Sequence, residues 1–117
     1  MREIENKLYQ ILGLCRRAGK LVSGAWAAED LIRRGKAKLV IVSNDASETT
    51  KEKIFKLCNN RRVDVIIFGT KEKLGNCIGQ SNRAIIAITS DKFKNMILDT
   101  LPDRLEVNMG VINEWRK

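Results

Sequence analysis

Three runs of apolar, largely β-branched residues constrain the fold of this chain most, because such runs are typical of strands covered on both faces of a sheet. They occupy residues 39–42, 63–68 and 84–88. Their starts lie about 20–25 residues apart, which is the spacing of crossover connections through helices. The segments between them have apolar residues at helical spacing. The sequence therefore predicts an α/β sandwich with helices on both faces of a small sheet.

Five amphipathic helices are predicted around these strands. The first covers residues 4–18 and ends at Gly19, and a short strand at Leu21 and Val22 follows it. The second begins after Gly24 and ends at Gly35. The three later helices each follow a hydroxyl residue of the kind that caps helix N-termini, namely Ser47, Thr70 and Ser90.

The length of 117 residues is that of one domain, and Pro102, the only proline, marks the one boundary along the chain. Residues 1–101 form the predicted domain, and residues 102–117 form a C-terminal extension. Apolar residues alternate with others in this extension, at Leu105, Val107, Met109 and Val111. A period of two indicates an edge strand, and a frayed terminus is the alternative.

The chain is strongly basic, with 22 Lys and Arg against 14 Asp and Glu and a net charge of +8. This surplus favours an anionic partner, most commonly nucleic acid, although a surface that only confers solubility has the same composition. Basic residues gather around Gly19 and Gly35, as Arg16, Arg17 and Lys20 and as Arg33, Arg34, Lys36 and Lys38. These clusters either neutralise a phosphate backbone or form solvated helix faces.

Several classes of function lack the residues they need. The chain has no histidine, which excludes a Ser-His-Asp triad and a histidine-containing zinc site. Cys15, Cys58 and Cys77 match no metal or redox spacing and are predicted to be buried thiols of a cytoplasmic protein. The apolar runs are too short to span a membrane. No glycine motif for phosphate or dinucleotide binding occurs. We therefore expect no catalytic residue, metal or cofactor.

Asp45 and Trp26 each have two interpretations. Asp45 follows a buried strand, where a phospho-accepting or catalytic aspartate would lie, but residues 44–47 are typical of a turn into a capped helix. No partner acids are predicted beside it, so the turn is preferred over an enzyme centred on Asp45. Trp26 lies on the polar side of the second helix, where its indole would stack on an unpaired base or pack under the first helix or the C-terminal extension.

Residues 19–24, 31–42 and 45–47 together resemble the ribosomal L7Ae/L30e family of kink-turn RNA-binding proteins. Leu74, Gly75 and Gly79, followed by the strand at 84–88, resemble the second signature of that family. The similarity covers residues 4 to 101 in the same element order and is strongest to a small bacterial branch. It implies a three-layer α/β/α sandwich with a four-stranded, mostly buried mixed sheet.

The resemblance also implies where RNA would bind. In a kink-turn, a duplex bends sharply beside tandem G·A pairs and one nucleotide protrudes. The family inserts the N-terminus of the second helix into the widened groove and grips the protruding nucleotide with the loop before the last core strand. The corresponding candidates here are Lys20, Ser23, Gly24, Ala25, Trp26, Ala27, Lys36, Leu74, Gly75, Ile78, Gly79 and Arg83.

The sequence departs from this family where base recognition takes place. Well-known members follow the equivalent of Gly24 with Asn and Glu and then with a Lys, whereas this chain has Trp26, Ala27 and Asp30. Only Gly24, Leu74, Gly75 and Gly79 match cleanly. The sequence thus favours a non-enzymatic protein that binds structured or ribosomal RNA. The alternative is a protein-interaction module on the same fold, with weak or lost RNA binding and a protein partner at Trp26 and the extension.

Overall fold

The computed structural model describes residues 2–101 and 110–112. Helices and strands alternate along the chain as predicted. In order they are α1 (Arg2–Arg17), β1 (Leu21–Ser23), α2 (Ala25–Arg33), β2 (Leu39–Val42), α3 (Glu48–Arg61), β3 (Asp64–Ile67), α4 (Lys71–Cys77), β4 (Ile85–Ile88), α5 (Asp91–Thr100) and β5 (Gly110–Ile112).

The strands form one mixed sheet in the order β1-β4-β2-β3-β5. β2 and β3 are parallel, whereas β4 is antiparallel to both of its neighbours, β1 and β2. The first four strands are the mixed sheet that the sequence predicts, so the predicted fold class is confirmed. The short β5 pairs antiparallel with β3 at the edge of the sheet. Most of the alternating segment 105–111 lies outside the described residues.

The sheet separates two layers of helices because successive strand residues point to opposite faces. On β2, Leu39 and Ile41 pack in a core with α1, α4 and α5, while Val40 and Val42 pack in a second core with α2 and α3. All four side chains are buried. A strand covered on both faces needs a continuous apolar sequence, which is why the apolar runs identify the strands correctly.

The predicted helix caps at Ser47, Thr70 and Ser90 are confirmed. Each hydroxyl accepts a hydrogen bond from the backbone N–H three residues later, at 3.1, 3.2 and 3.3 Å respectively. Each bond satisfies an N–H group that has no partner inside its helix.

None of the described helices is long and apolar enough to cross a membrane.

The cysteines are free thiols, and the prediction that all three are buried is wrong for Cys77. Cys15 and Cys58 are buried, whereas Cys77 is half-buried in α4, where it lines an open cleft beside Tyr9. Burial raises the pKa of Cys15 and Cys77 to about 11 and that of Cys58 to about 12. The thiols therefore stay protonated at neutral pH and are poor nucleophiles.

Arg62, which follows α3, is a non-glycine residue in the left-handed region, with φ 58° and ψ 44°. We predict that Arg62→Gly increases the free energy of unfolding by about 1 kcal/mol, because glycine adopts this conformation without steric cost. Urea unfolding measures the change. Arg62→Ala is the control, since it removes the same charge and keeps the Cβ, and an equal gain in that variant would contradict the explanation from backbone strain.

Candidate functional site

The antiparallel direction of β4 brings two candidate regions together at one end of the sheet. Ser23, at the end of β1, pairs with Ile86, and Val42, at the end of β2, pairs with Ile85. The last residues of β1 and β2 therefore lie beside the start of β4. We call this the loop end of the sheet, formed by residues 23–27 and by the α4–β4 loop, residues 78–84.

Gly24 fixes the geometry where α2 begins. Its φ of 98° and ψ of 151° belong to a region that side-chain-bearing residues rarely adopt, and its N–H donates to the Ile85 carbonyl at 2.9 Å. A Cβ would meet no atom within 4 Å, so the backbone conformation and not a lack of space requires glycine here. Gly24 also provides no side-chain cap. The positive end of the α2 dipole is therefore left without a side-chain acceptor.

Trp26 projects from this first turn and is 81% exposed. This exposure rules out packing of the indole under α1. The other predicted protein contact, with the C-terminal extension, lies outside the described residues. Ala25 is exposed and Ala27 is half-buried. The surface presented by the first turn of α2 thus combines uncapped N–H groups, small side chains and one indole.

The α4–β4 loop packs directly on Gly75, which is buried in α4. A Cβ at Gly75 would collide with the Ser81 carbonyl and would reach within 3.0 Å of the Gln80 carbonyl. The Gln80 N–H donates to the Gly75 carbonyl at 2.9 Å, and the Gly79 N–H donates to the Asn76 carbonyl at 3.2 Å. Gly79 has a φ of 72°. These bonds close α4 in a Schellman motif and set the path of the loop.

Leu74 and Ile78, two of the predicted contact residues, are core residues with side chains 0% and 2% exposed. Their side chains pack with α1 and the sheet and cannot touch a ligand at the surface. They hold α4 and the loop in place. The exposed residues of the loop are Gly79, which the sequence prediction includes, and Gln80, Ser81 and Asn82, which it missed because a loop carries no periodic pattern.

Arg83 connects the two halves of the loop end. Its Nε donates to the Ser23 hydroxyl at 3.1 Å, across the gap between β1 and the loop. Its other nitrogens donate to the Ser81 hydroxyl, the Asn82 carbonyl and the Gln80 side chain at 3.3, 3.0 and 3.1 Å. The guanidinium is thus engaged within the protein, and it orders the loop next to the start of α2.

Asp45 is a turn residue, in line with the preferred interpretation of its sequence. Its carboxylate accepts the backbone N–H of Lys71, at the start of α4, at 2.9 Å. Burial is the largest single influence on the pKa of this carboxyl and raises it, but hydrogen bonds from Lys71 and Ser43 and the Lys71 charge together outweigh it and hold the pKa below its usual value. Among the described residues, no three acids or cysteines form a group that could hold a metal.

Lys20 and Lys36 do not lie at the loop end. Lys20 precedes β1 and its carbonyl accepts the N–H of Thr89, just after the end of β4. Lys36 follows α2, a nine-residue helix and so about 14 Å long, which carries the chain to the opposite end of the sheet. The structure therefore brings together Ser23, the first turn of α2 and the 78–84 loop, and it separates both lysines from them.

We predict that Gly75→Ala lowers the free energy of unfolding by about 1–3 kcal/mol, because the added methyl group must displace the backbone of the loop. Urea unfolding of the purified protein measures this loss. Asn76→Ala, at the adjacent exposed position of the same helix, is the control and should change stability by less than about 0.5 kcal/mol. Equal stability of the two variants would show that the loop does not pack on α4.

The family model for the "Ribosomal protein L7Ae/L30e/S12e/Gadd45 family" matches residues 6–98. The chain is 36% identical over 93 residues to "RNA-binding protein YlxQ" of Bacillus subtilis (strain 168), covering 80% of this chain and 93% of that protein. A protein of the same name from Enterococcus faecium is 50% identical over 48 residues, which cover 41% of this chain and 47% of that protein.

Two solved structures are similar in fold. A protein of unknown function from Bacillus halodurans superposes with a TM-score of 0.77 at 30% identity, covering 80% of this chain and 95% of that one. The Giardia lamblia 15.5kD RNA binding protein superposes with a TM-score of 0.71 at 24% identity, covering 84% of each chain. At that identity, the second likeness concerns the fold alone.

Proposed function

Because the chain belongs to the ribosomal protein L7Ae/L30e/S12e/Gadd45 family, we propose that it is a non-enzymatic RNA-binding protein whose loop end binds kink-turn-like structured RNA. The RNA-binding part of this proposal draws on the family and on the name of the Bacillus subtilis relative. The RNA would be ribosomal or another folded RNA of the cytoplasm.

The observation that carries the proposal is the hydrogen bond of 3.1 Å between Arg83 and Ser23. It holds the exposed part of the α4–β4 loop beside the uncapped first turn of α2. A kink-turn needs both features at once, since one surface must enter the widened groove while the other holds the protruding nucleotide. The uncapped N–H groups suit phosphate oxygens and base edges, and Gly24 lets the backbone approach them closely.

Base recognition here would differ from that of relatives with the Asn, Glu and Lys set. Ala27 has no group that could bond to a guanine edge, and one lost bidentate contact is worth about 1–3 kcal/mol. Asp30 is half-exposed on α2 and pairs with Arg34 at 3.4 Å. We therefore propose a weaker affinity for kink-turns than those relatives have, partly recovered by stacking of the Trp26 indole.

A second candidate function is a protein-interaction module on the same fold. The exposure of Trp26 favours it, because a solvent-exposed indole is typical of the aromatic residues that anchor protein interfaces. In this case the loop end would bind a protein surface and RNA would bind only through the net positive charge.

Titration with a kink-turn RNA and with a straight duplex of equal length separates these two functions. The kink-turn proposal requires tighter binding to the kink-turn at every salt concentration, because charge alone does not distinguish the two RNAs. Equal affinity for both would contradict it and would favour the interaction module.

Trp26→Ala is predicted to weaken kink-turn binding by about 1–3 kcal/mol, or about 5- to 150-fold, if the indole stacks on a base. Since the side chain is 81% exposed, the free energy of unfolding should change by less than about 0.5 kcal/mol. Leu14→Ala is the matched control, because Leu14 is the other exposed large apolar residue described and lies on α1. Unchanged RNA affinity in Trp26→Ala would exclude the stacking contact.

Asp30→Lys is predicted to strengthen RNA binding and to steepen its salt dependence by about one unit of slope, because a cation would replace an anion near the phosphates. The variant loses the exposed pair with Arg34, which contributes about 0.3–0.5 kcal/mol to stability. Glu52→Lys makes the same charge change at an exposed position of α3. If both variants gain RNA affinity equally, α2 does not face the RNA.

A further inference from the structure

Most of the basic residues that flank Gly19 and Gly35 lie at the end of the sheet opposite the loop end. α1, α2 and α3 all finish there, and β1 and β2 begin there. Lys20 and Lys38 flank the end of β4, since the Lys20 carbonyl accepts from Thr89 and the Lys38 N–H donates to Ile88 at 2.7 Å. We call this surface the basic end, formed by Arg16, Lys20, Lys36, Lys38, Arg61 and Arg62.

One further contact and the order of the strands hold the basic end together. The Arg61 guanidinium, at the end of α3, donates to the Arg33 carbonyl at 3.1 Å, so the C-termini of α2 and α3 are adjacent. Lys20 and Lys38 precede strands that are separated by β4, so their backbones lie about 10 Å apart. The cations are thus spread across one continuous end of the domain, on both sides of the sheet.

Much of the charge at the basic end is not compensated. Arg33 and Arg34 pair with Glu29 and Asp30 on their own helix, at 3.3 and 3.4 Å. Within residues 2–101 and 110–112, no carboxylate lies at ion-pair distance from Lys20, Lys36 or Lys38. The negative ends of the helix dipoles account for basic residues in the last turns of α1 and α3. They do not account for Lys38, which lies beyond Gly35 at the start of β2.

We propose that the basic end is a second RNA-binding surface, which contacts the phosphate backbone of a duplex without reading its sequence. This rests on the proposed function, in that RNA is the partner. α2 begins at the loop end and finishes at the basic end, so the length of this nine-residue helix places the two ends about 14 Å apart. A kink-turn bound at the loop end therefore leaves the basic end free for a second helical segment.

RNA fits this surface better than a protein partner does. Interfaces between proteins have apolar or aromatic anchors at their centres and few charges there. Of the two exposed large apolar side chains among the described residues, Trp26 is at the loop end and Leu14 lines a cleft between α1 and α5. The basic end presents flexible lysines and arginines, which suit phosphates on a regular backbone.

The test compares two double variants of the full chain that each remove two positive charges from exposed positions. Lys20→Gln with Lys36→Gln changes the basic end, and Lys7→Gln with Lys56→Gln changes α1 and α3 elsewhere. The probe is a straight RNA duplex of about 16 base pairs, the length that a double-stranded RNA-binding domain spans. Binding is measured over a range of salt, and urea unfolding checks that both variants are folded.

The proposal predicts that the slope of log affinity against log salt falls by about 2 in the basic-end variant and by much less in the control. This variant should still prefer a kink-turn RNA over a short straight duplex, because the loop end is unchanged. Equal slopes in the two variants would overturn the proposal. If the slope falls in the basic-end variant but the wild type does not prefer the kink-turn RNA, the result would support RNA binding at the basic end and contradict the kink-turn function.

Discussion

The antiparallel pairing of β4 with both β1 and β2 is the constraint on which the arrangement of this protein depends. The Gly24 N–H bonds to Ile85 and the Ser43 N–H bonds to Ala84, both at 2.9 Å, so the chain leaves β1 and β2 beside the start of β4. If β4 ran in the other direction, the loop that precedes it would lie at the far end of the sheet. The α2 N-terminus and that loop would then be separated by the length of a strand.

Arg83 and Gly75 show how the fold builds a surface from residues that do not themselves need to touch a ligand. Gly75 lets the backbone of the loop lie against α4. Arg83 uses its guanidinium to hold that loop to Ser23. Together they leave Gln80, Ser81 and Asn82 exposed near the start of α2. Loss of RNA affinity after a change at Arg83 would thus report on the order of the loop as well as on its charge.

The sequence predicts those features that are determined by neighbours along the chain. A strand covered on both faces needs an apolar run, and a helix start needs a capping hydroxyl, so the strands and the caps at Ser47, Thr70 and Ser90 are found correctly. The position of Lys20 depends instead on which strands pair. It is only four residues from Gly24, yet β1 carries it to the other end of the sheet. Leu74 belongs to the second family signature and Ile78 is a predicted contact residue, but both side chains are buried.

The surface divides into a loop end and a basic end, and the backbone amides report on this division directly. We expect addition of a kink-turn RNA to the isotope-labelled protein to shift the amide resonances of residues 24–27 and 80–83 at the lowest RNA concentrations. A straight duplex should first shift the amides around Lys20 and Lys36. Shifts at the basic end alone with both RNAs would contradict kink-turn binding at the start of α2.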